Sequence, residues 1–137
     1  MNEENGLRGG KSYEVFAEKE KGKKHIAAIE SDGGGLVPRS LGIDVKGDTL
    51  AYYKNWEKLF IPYMVNITSG GGGADIGPME KIGVTQMSLN VDNQRYFDYH
   101  HTRDDVFENV HKRELELGSA AMTALVYLLD RYGVYKK

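Results

Sequence analysis

The sequence predicts an α/β fold, a largely parallel sheet with helices packed on its faces. Three observations carry that reading. Short apolar runs of strand length alternate along the chain with helical periodicities, an order that builds a parallel sheet. At 137 residues the chain has the length of one ordinary domain, which excludes separate cofactor and substrate lobes. With 40% hydrophobic and 10% aromatic residues it can bury a core, unlike a disordered, highly charged chain.

The elements follow in order. Residues 11–21 read as a short helix with Val15 and Phe16 inward, closed by Gly22. The run His25-Ile26-Ala27-Ala28-Ile29-Glu30, between Lys23-Lys24 and Ser31-Asp32-Gly33, reads as a buried strand ending in a loop. Asp48 reads as the N-cap of a helix over 48–63, whose stripe of Leu50, Tyr53, Trp56, Leu59 and Phe60 faces the core. Residues 65–68 read as a second strand, 76–81 as a short helix behind a glycine run, and 84–89 as a third strand of alternating character. A final helix over 112–132 turns Leu115, Met122, Leu125, Val126 and Leu129 to one side and stops at Gly133. Open sheets of this kind place their chemistry in loops beyond the carboxyl ends of strands. A site is therefore expected after Ile29, after Thr68 and after Leu89.

Composition removes several functions. Eighteen Lys+Arg against 20 Asp+Glu gives a net charge of -2, so charge makes no case for nucleic acid or an anionic membrane as partner. The absence of cysteine excludes disulfides, thiolate metal sites and cysteine nucleophiles, and leaves the compartment open. No run approaches the roughly 20 apolar residues of a membrane span. The start, Met1-Asn2-Glu3-Glu4, lacks the basic and apolar regions of a signal peptide. The 17 glycines are the odd entry: most fall at Gly6, Gly9 and Gly10, at 33–35 and at 70–73, which reads as flexible surface beside periodic segments.

Among motifs, Gly6-Leu7-Arg8-Gly9-Gly10-Lys11-Ser12 resembles a phosphate loop at a glance. The pattern needs glycine where Asn5 stands and a strand before it, so a glycine turn opening a helix is the better reading. His25 and His111 read as structural or surface residues. His100-His101 differ, because they sit in Tyr96-Phe97-Asp98-Tyr99-His100-His101-Thr102-Arg103-Asp104-Asp105, where imidazole, carboxylate and aromatic residues are dense. Imidazole with carboxylate suits zinc, while a solvated polar loop remains the plain alternative. Asp105-Val106-Phe107-Glu108 also fits a capping-box variant. Glu3-Glu4 and Glu30-Ser31-Asp32 supply further carboxylates. Of two adjacent glutamates only one can face a given metal, leaving the other as a base for its water.

Glu3-Glu4-Asn5-Gly6-Leu7-Arg8-Gly9, Glu30-Ser31-Asp32, Gly72-Gly73-Ala74-Asp75-Ile76 and Phe97-Asp98-Tyr99-His100-His101-Thr102 with Asp105 resemble, in order and spacing, the second half of the M28 family of zinc exopeptidases. That family contains aminopeptidases and glutamate-carboxypeptidase-like enzymes. The resemblance implies a three-layer α/β sandwich with a mostly parallel central sheet, of which residues 1–137 would be one incomplete C-terminal portion. It implies two zinc ions sharing a water, with cobalt or manganese as substitutes, and a peptide substrate. By position, Glu3 would be the general base, Glu4 a ligand of one zinc and Asp32 of the other. His101 would join Glu4, with His100 its rival because the doubling leaves the register open by one. Gly72, Gly73 and Asp75 would line the substrate side. Val106 stands where the family usually has threonine, and the family's upstream His-x-Asp segment and bridging aspartate have no counterpart. The chain alone is therefore expected to hold zinc weakly, to lack useful peptidase activity and to self-associate through an exposed sheet edge. A non-catalytic α/β interaction module on the same scaffold is the alternative. For the full-length protein the resemblance suggests a periplasmic or secreted bacterial location.

Overall fold

A computed structural model describes residues 3–20 and 24–135. The expected stop at Gly22, the last residue of the expected first helix, Lys23 and the start at Met1-Asn2 lie outside the described residues.

The fold is the expected one, a four-stranded sheet carrying helices. In chain order the elements are α1 (Arg8–Lys19), β1 (Ala27–Glu30), β2 (Pro38–Ile43), α2 (Gly47–Lys54), β3 (Asn66–Ser69), β4 (Thr85–Val91), α3 (Tyr96–Tyr99) and α4 (Lys112–Tyr132), joined by 3-10 turns. The strands lie in the order β1-β4-β2-β3. β1 runs parallel to β4 and β2 parallel to β3, while β2 and β4 are antiparallel.

One face of the sheet holds the main core. Leu41 and Ile43 of β2, Ile67 of β3 and Met87, Leu89 and Val91 of β4 meet Tyr53, Trp56 and Phe60 from α2 and the turn after it, and Ala121, Leu125, Leu128 and Leu129 of α4. The opposite face is polar along β4, where Ser88 Oγ donates to Asn90 Oδ1 at 3.0 Å and Asn90 Nδ2 donates to Ser40 Oγ at 3.1 Å. Only at its β1 end does that face gain an apolar patch, from Ala17 of α1 with Met79 and Val84.

The run 70–73 lies on this polar face. A Cβ at Gly71 would stand 2.5 Å from the carbonyl oxygen of Gly42, and one at Gly42 would collide with the carbonyl of Gly70. Backbone rests on backbone there, and Gly70 N–H donates to Ile43 O at 2.9 Å. The glycines expected as flexible surface are close-packing residues at this point.

Several elements depart from expectation. β2 reads poorly from sequence because Pro-Arg-Ser-Leu-Gly-Ile has neither an apolar run nor clean alternation. Proline is tolerated at a strand's first residue, and an interior glycine marks a close backbone approach, which Gly42 makes. β1 is a half-buried edge strand instead of a buried one. Val15 and Phe16 of α1 are exposed, and Gly10 and Ala17 are its buried residues. On α4, Leu115 and Val126 face solvent while Leu128 packs inward.

α2 ends at Lys54, and the chain continues in 3-10 turns at Glu57–Leu59 and Ile61–Tyr63. The stripe at 50, 53, 56 and 59 already has the three-residue period of a 3-10 turn, and Leu59 is exposed. Lys46 holds the N-cap position, which leaves Asp48 to favour the first turn through its charge.

Glu57 anchors these turns to the sheet. Its Oε1 accepts from Lys54 Nζ at 2.6 Å and from Ile67 N at 2.8 Å. The Lys54 hydrogen bond, helped by the Ile67 amide, holds the Glu57 carboxyl below the usual glutamate range. A lowered folded-state value gives stability that is present above the unfolded value and lost as pH falls through the folded one. Urea midpoints should therefore fall on acidification below the ordinary glutamate range, and Glu57→Gln should flatten that part of the profile; an unchanged profile would contradict the anchoring role.

Candidate active site

Two loop systems beyond strand ends and the turn before α1 build the site. Glu3–Asn5 form a 3-10 turn closed by Gly6 N and Leu7 N donating to Glu3 O, both at 3.1 Å. Leu7 takes a left-handed conformation (φ 59°) and leads into α1. Lys11 Nζ donates back to Gly6 O at 2.9 Å, so the lysine of the phosphate-loop lookalike is spent on its own turn.

β1 ends at Glu30, and the side chain of that residue turns beneath the glycine loop to accept from Ile76 N at 3.1 Å. A Cβ on Gly73 would overlap the Glu30 carboxylate. Glu30 thus holds the loop, and Asp32 is the carboxylate left to the site.

Beyond β4, the turn Asn93–Arg95 and the short α3 lead to His100 and His101. Thr102 Oγ1 donates to Tyr99 O at 2.8 Å and accepts from Asp104 N at 3.1 Å, while Asn109 Nδ2 donates to Asp104 O at 2.8 Å. Val106 occupies the cap position of the next turn without a side-chain bond, so the capping box expected at Asp105 does not form.

These segments meet around a cavity of about 310 Å³. Glu3, Glu4, Asp32, His100 and His101 all line it, although they come from opposite ends of the chain. His101 Nε2 lies 3.1 Å from Glu4 Oε1. Tyr96, Tyr99, Asp104, Asp105 and Asn109 complete the polar wall, with Leu36, Val106 and Val110 as the apolar one. Burial first, and then the charges of Asp32, Asp105 and Glu4, raise the Tyr96 hydroxyl above its ordinary value. Asp104 and Asn109 carried no sequence signal of their own; the density of polar and aromatic residues around 96–105 is the nearest clue.

Gly72 and Gly73 line a second cavity of about 280 Å³, which shares Asp32 and Gly33 with the first. Asp75 lines neither; its Oδ1 is buried without a hydrogen-bond partner, and its carbonyl presses on Gly10 of α1. The Tyr13 hydroxyl and His25 Nε2 share a hydrogen bond of 2.8 Å, and His111 Nδ1 caps α4 by accepting from Glu114 N at 3.4 Å. Both are structural, as expected.

The chain, an α/β sheet that gathers carboxylates and imidazoles beyond its strand ends, is similar over nearly its whole length to peptidases of the M28 family. A peptidase M28 precursor from Shewanella amazonensis SB2B superposes with a TM-score of 0.82 at 31% identity, over 98% of this chain and 30% of that one. Carboxypeptidase Q of Mus musculus is 26% identical over 128 residues, which are 93% of this chain and 27% of the relative. Carboxypeptidase Q of Rattus norvegicus is 25% identical over 130 residues, with the same shares. No protein-family model matches. The chain thus spans between a quarter and a third of these relatives' lengths.

The donor set agrees with zinc in kind, since imidazole and carboxylate oxygens are its usual N and O ligands. It falls short in number: among the described residues no three His, Asp or Glu side chains gather into a metal site. Glu4 and His101 make one pair at 3.1 Å, and Asp32 lines the same cavity. Among the described residues no helix is long and apolar enough to cross a membrane.

Proposed function

We infer that the chain is the C-terminal part of a zinc-dependent exopeptidase domain of the M28 type. The observation that supports this most is the convergence of Glu3, Glu4, Asp32 and His101 on one cavity. Glu4 and His101 would hold one ion and Asp32 the other, with the remaining ligands supplied from outside this chain. Cobalt or manganese would suit the same donors. Bound zinc would polarise the scissile carbonyl and acidify the attacking water. Glu3, at the cavity wall, would be the base that accepts a proton from the attacking water and the acid that returns it to the leaving amine. The 3-10 turn that carries Glu3 keeps it at the cavity wall.

The charge of the cavity bears on which peptide end is recognised. Its described lining carries Glu3, Glu4, Asp32, Asp104 and Asp105, with no lysine or arginine. Beyond the carboxylates assigned to the base and the metals, Asp104 and Asp105 remain to meet a free N-terminal ammonium, which favours an aminopeptidase. Carboxypeptidase action would instead draw on Arg95, Lys112 and Arg113, in a groove that adjoins the cavity at Tyr99, Asn109 and Val110. Leucinamide and an N-acetylated dipeptide separate the two: only the first is a substrate if the acidic wall binds the ammonium.

The shortage of metal donors favours a second reading, an α/β interaction module without catalysis. Calorimetry with zinc, run beside an amide hydrolysis assay with and without chelator, decides. The peptidase reading expects weak zinc uptake by the chain alone, chelator-sensitive hydrolysis once the missing ligands are supplied, and self-association at the bare edge of β1. Two tight zinc sites in the isolated chain would refute the partial-site reading, and a ligand-complete protein that stays inactive with zinc would establish the module. An extracytoplasmic location for the full-length protein belongs to the same proposal.

A further inference from the structure

His100 and His101 are neighbours in sequence and carry the same functional group, yet they are held differently. The His101 backbone is left-handed (φ 56°), a conformation that side-chain-bearing residues adopt at a cost and that collects at functional sites. That reversal folds the His101 ring back onto the His100 ring, with centroids 3.9 Å apart and planes 22° from parallel. On its other face the His100 ring stacks on Tyr96 at 4.6 Å and 23°, and Phe97 meets it edge-on at 6.0 Å. His100 is the middle layer of a three-ring stack, and His101 is the outer layer whose Nε2 reaches Glu4.

A metal-binding imidazole must have its ring plane fixed, usually by a hydrogen bond from its other nitrogen to a carboxylate or carbonyl. Among the described residues no hydrogen bond to the other ring nitrogen of His101 is seen; beside the Nε2–Glu4 contact, the ring is held by the stack on His100. We propose that His100 is a positioning residue: clamped by Tyr96, it is the platform that sets the plane of the His101 ring and aims Nε2 at the metal position beside Glu4. This rests on the metallopeptidase reading and assigns the two histidines different roles. His101 is the ligand and His100 supplies an aromatic face, so what position 100 requires is a flat ring, with no call on its nitrogens.

The test uses the full chain and zinc ion as probe. Long-range ¹H–¹⁵N spectra of the imidazoles are recorded through a zinc titration for the parent chain, His100→Phe and His100→Ala. The parent should show Nε2 of His101 moving with zinc while the nitrogens of His100 stay in place. His100→Phe keeps the stack and should hold zinc within about twofold of the parent, whereas His100→Ala should weaken it about tenfold or more. A metal-free readout runs alongside: the ring-current shift of the His101 protons should persist in His100→Phe and vanish in His100→Ala. If His100→Phe loses zinc as badly as His100→Ala, His100 is itself a ligand and the proposal falls. It also falls if His100→Ala keeps both the ring-current shift and the affinity. Zinc that moves no imidazole, with the ring-current pattern as expected, would overturn the metallopeptidase reading and the aiming role while leaving the stack as packing.

Discussion

Leu125→Ala is expected to destabilise the fold by about 2–5 kcal/mol, the range for removing a large aliphatic side chain from a closed core. Leu125 is fully buried at the middle of α4 and belongs to the cluster that also holds Leu41, Met87 and Leu89 of the two central strands. α4 has few alternatives for attachment, because it touches mainly β2 and β4. The truncated side chain leaves a void that a 21-residue helix cannot close by shifting without lifting Leu128 and Leu129 as well. Urea denaturation of Leu125→Ala and of the exposed control Val126→Ala measures the difference. The control should stay within about 0.5 kcal/mol, the usual range for surface positions. Similar losses in both would mean that α4 packs through a different face.

Glu3→Gln should lower peptidase turnover by about 10²–10⁴-fold in a form of the protein that hydrolyses its substrate, the usual range for losing a positioned acid or base. The amide keeps the size of the side chain and its reach from the 3-10 turn, and removes only the proton acceptor. Zinc uptake should therefore change little, since the proposed donors are Glu4, His101 and Asp32. Glu4→Gln should do the reverse first, weakening zinc and losing turnover as a consequence. Steady-state kinetics and zinc titration on the two variants separate the roles, and equal zinc loss in both would erase the distinction between adjacent glutamates.

The parts of the fold legible in the sequence were those whose signal is local. α4 was found at both ends because a long amphipathic period and a terminal glycine agree. β4 was placed to within two residues. β2 was not seen, because its identity comes from neighbours on both sides: Leu41 faces Ile67 and Leu89, and no property of Pro-Arg-Ser-Leu-Gly-Ile foretells those pairings. Val15 and Phe16 were assigned inward from apolarity alone, whereas the described structure packs α1 through Gly10 and Ala17. In the site, the acidic and histidine segments were legible because their residue types are chemically unusual side by side. Their convergence was expected from the rule that parallel strands carry their loops to one end, and in the structure it rests on β1 and β4 pairing in parallel, which delivers Asp32 and the 96–105 segment to the same end of the sheet. The difference between His100 and His101 lies in one backbone angle, which sequence does not carry.

The contact of Gly71 with Gly42 has a consequence for conformational entropy. Glycine gives up more freedom on folding than other residues, about 0.5–1 kcal/mol each relative to alanine, so fixing the run 70–73 costs roughly 2–4 kcal/mol more than fixing four alanines. Alanine would spare the unfolded chain that cost, but at position 71 it has no room above β2. The loop is therefore held in shape against an entropic deficit, and its shape joins the β2–β3 side of the sheet to the Glu30 end of β1. Changes that look harmless in a glycine-rich loop should register in the second cavity, which Gly72 and Gly73 line.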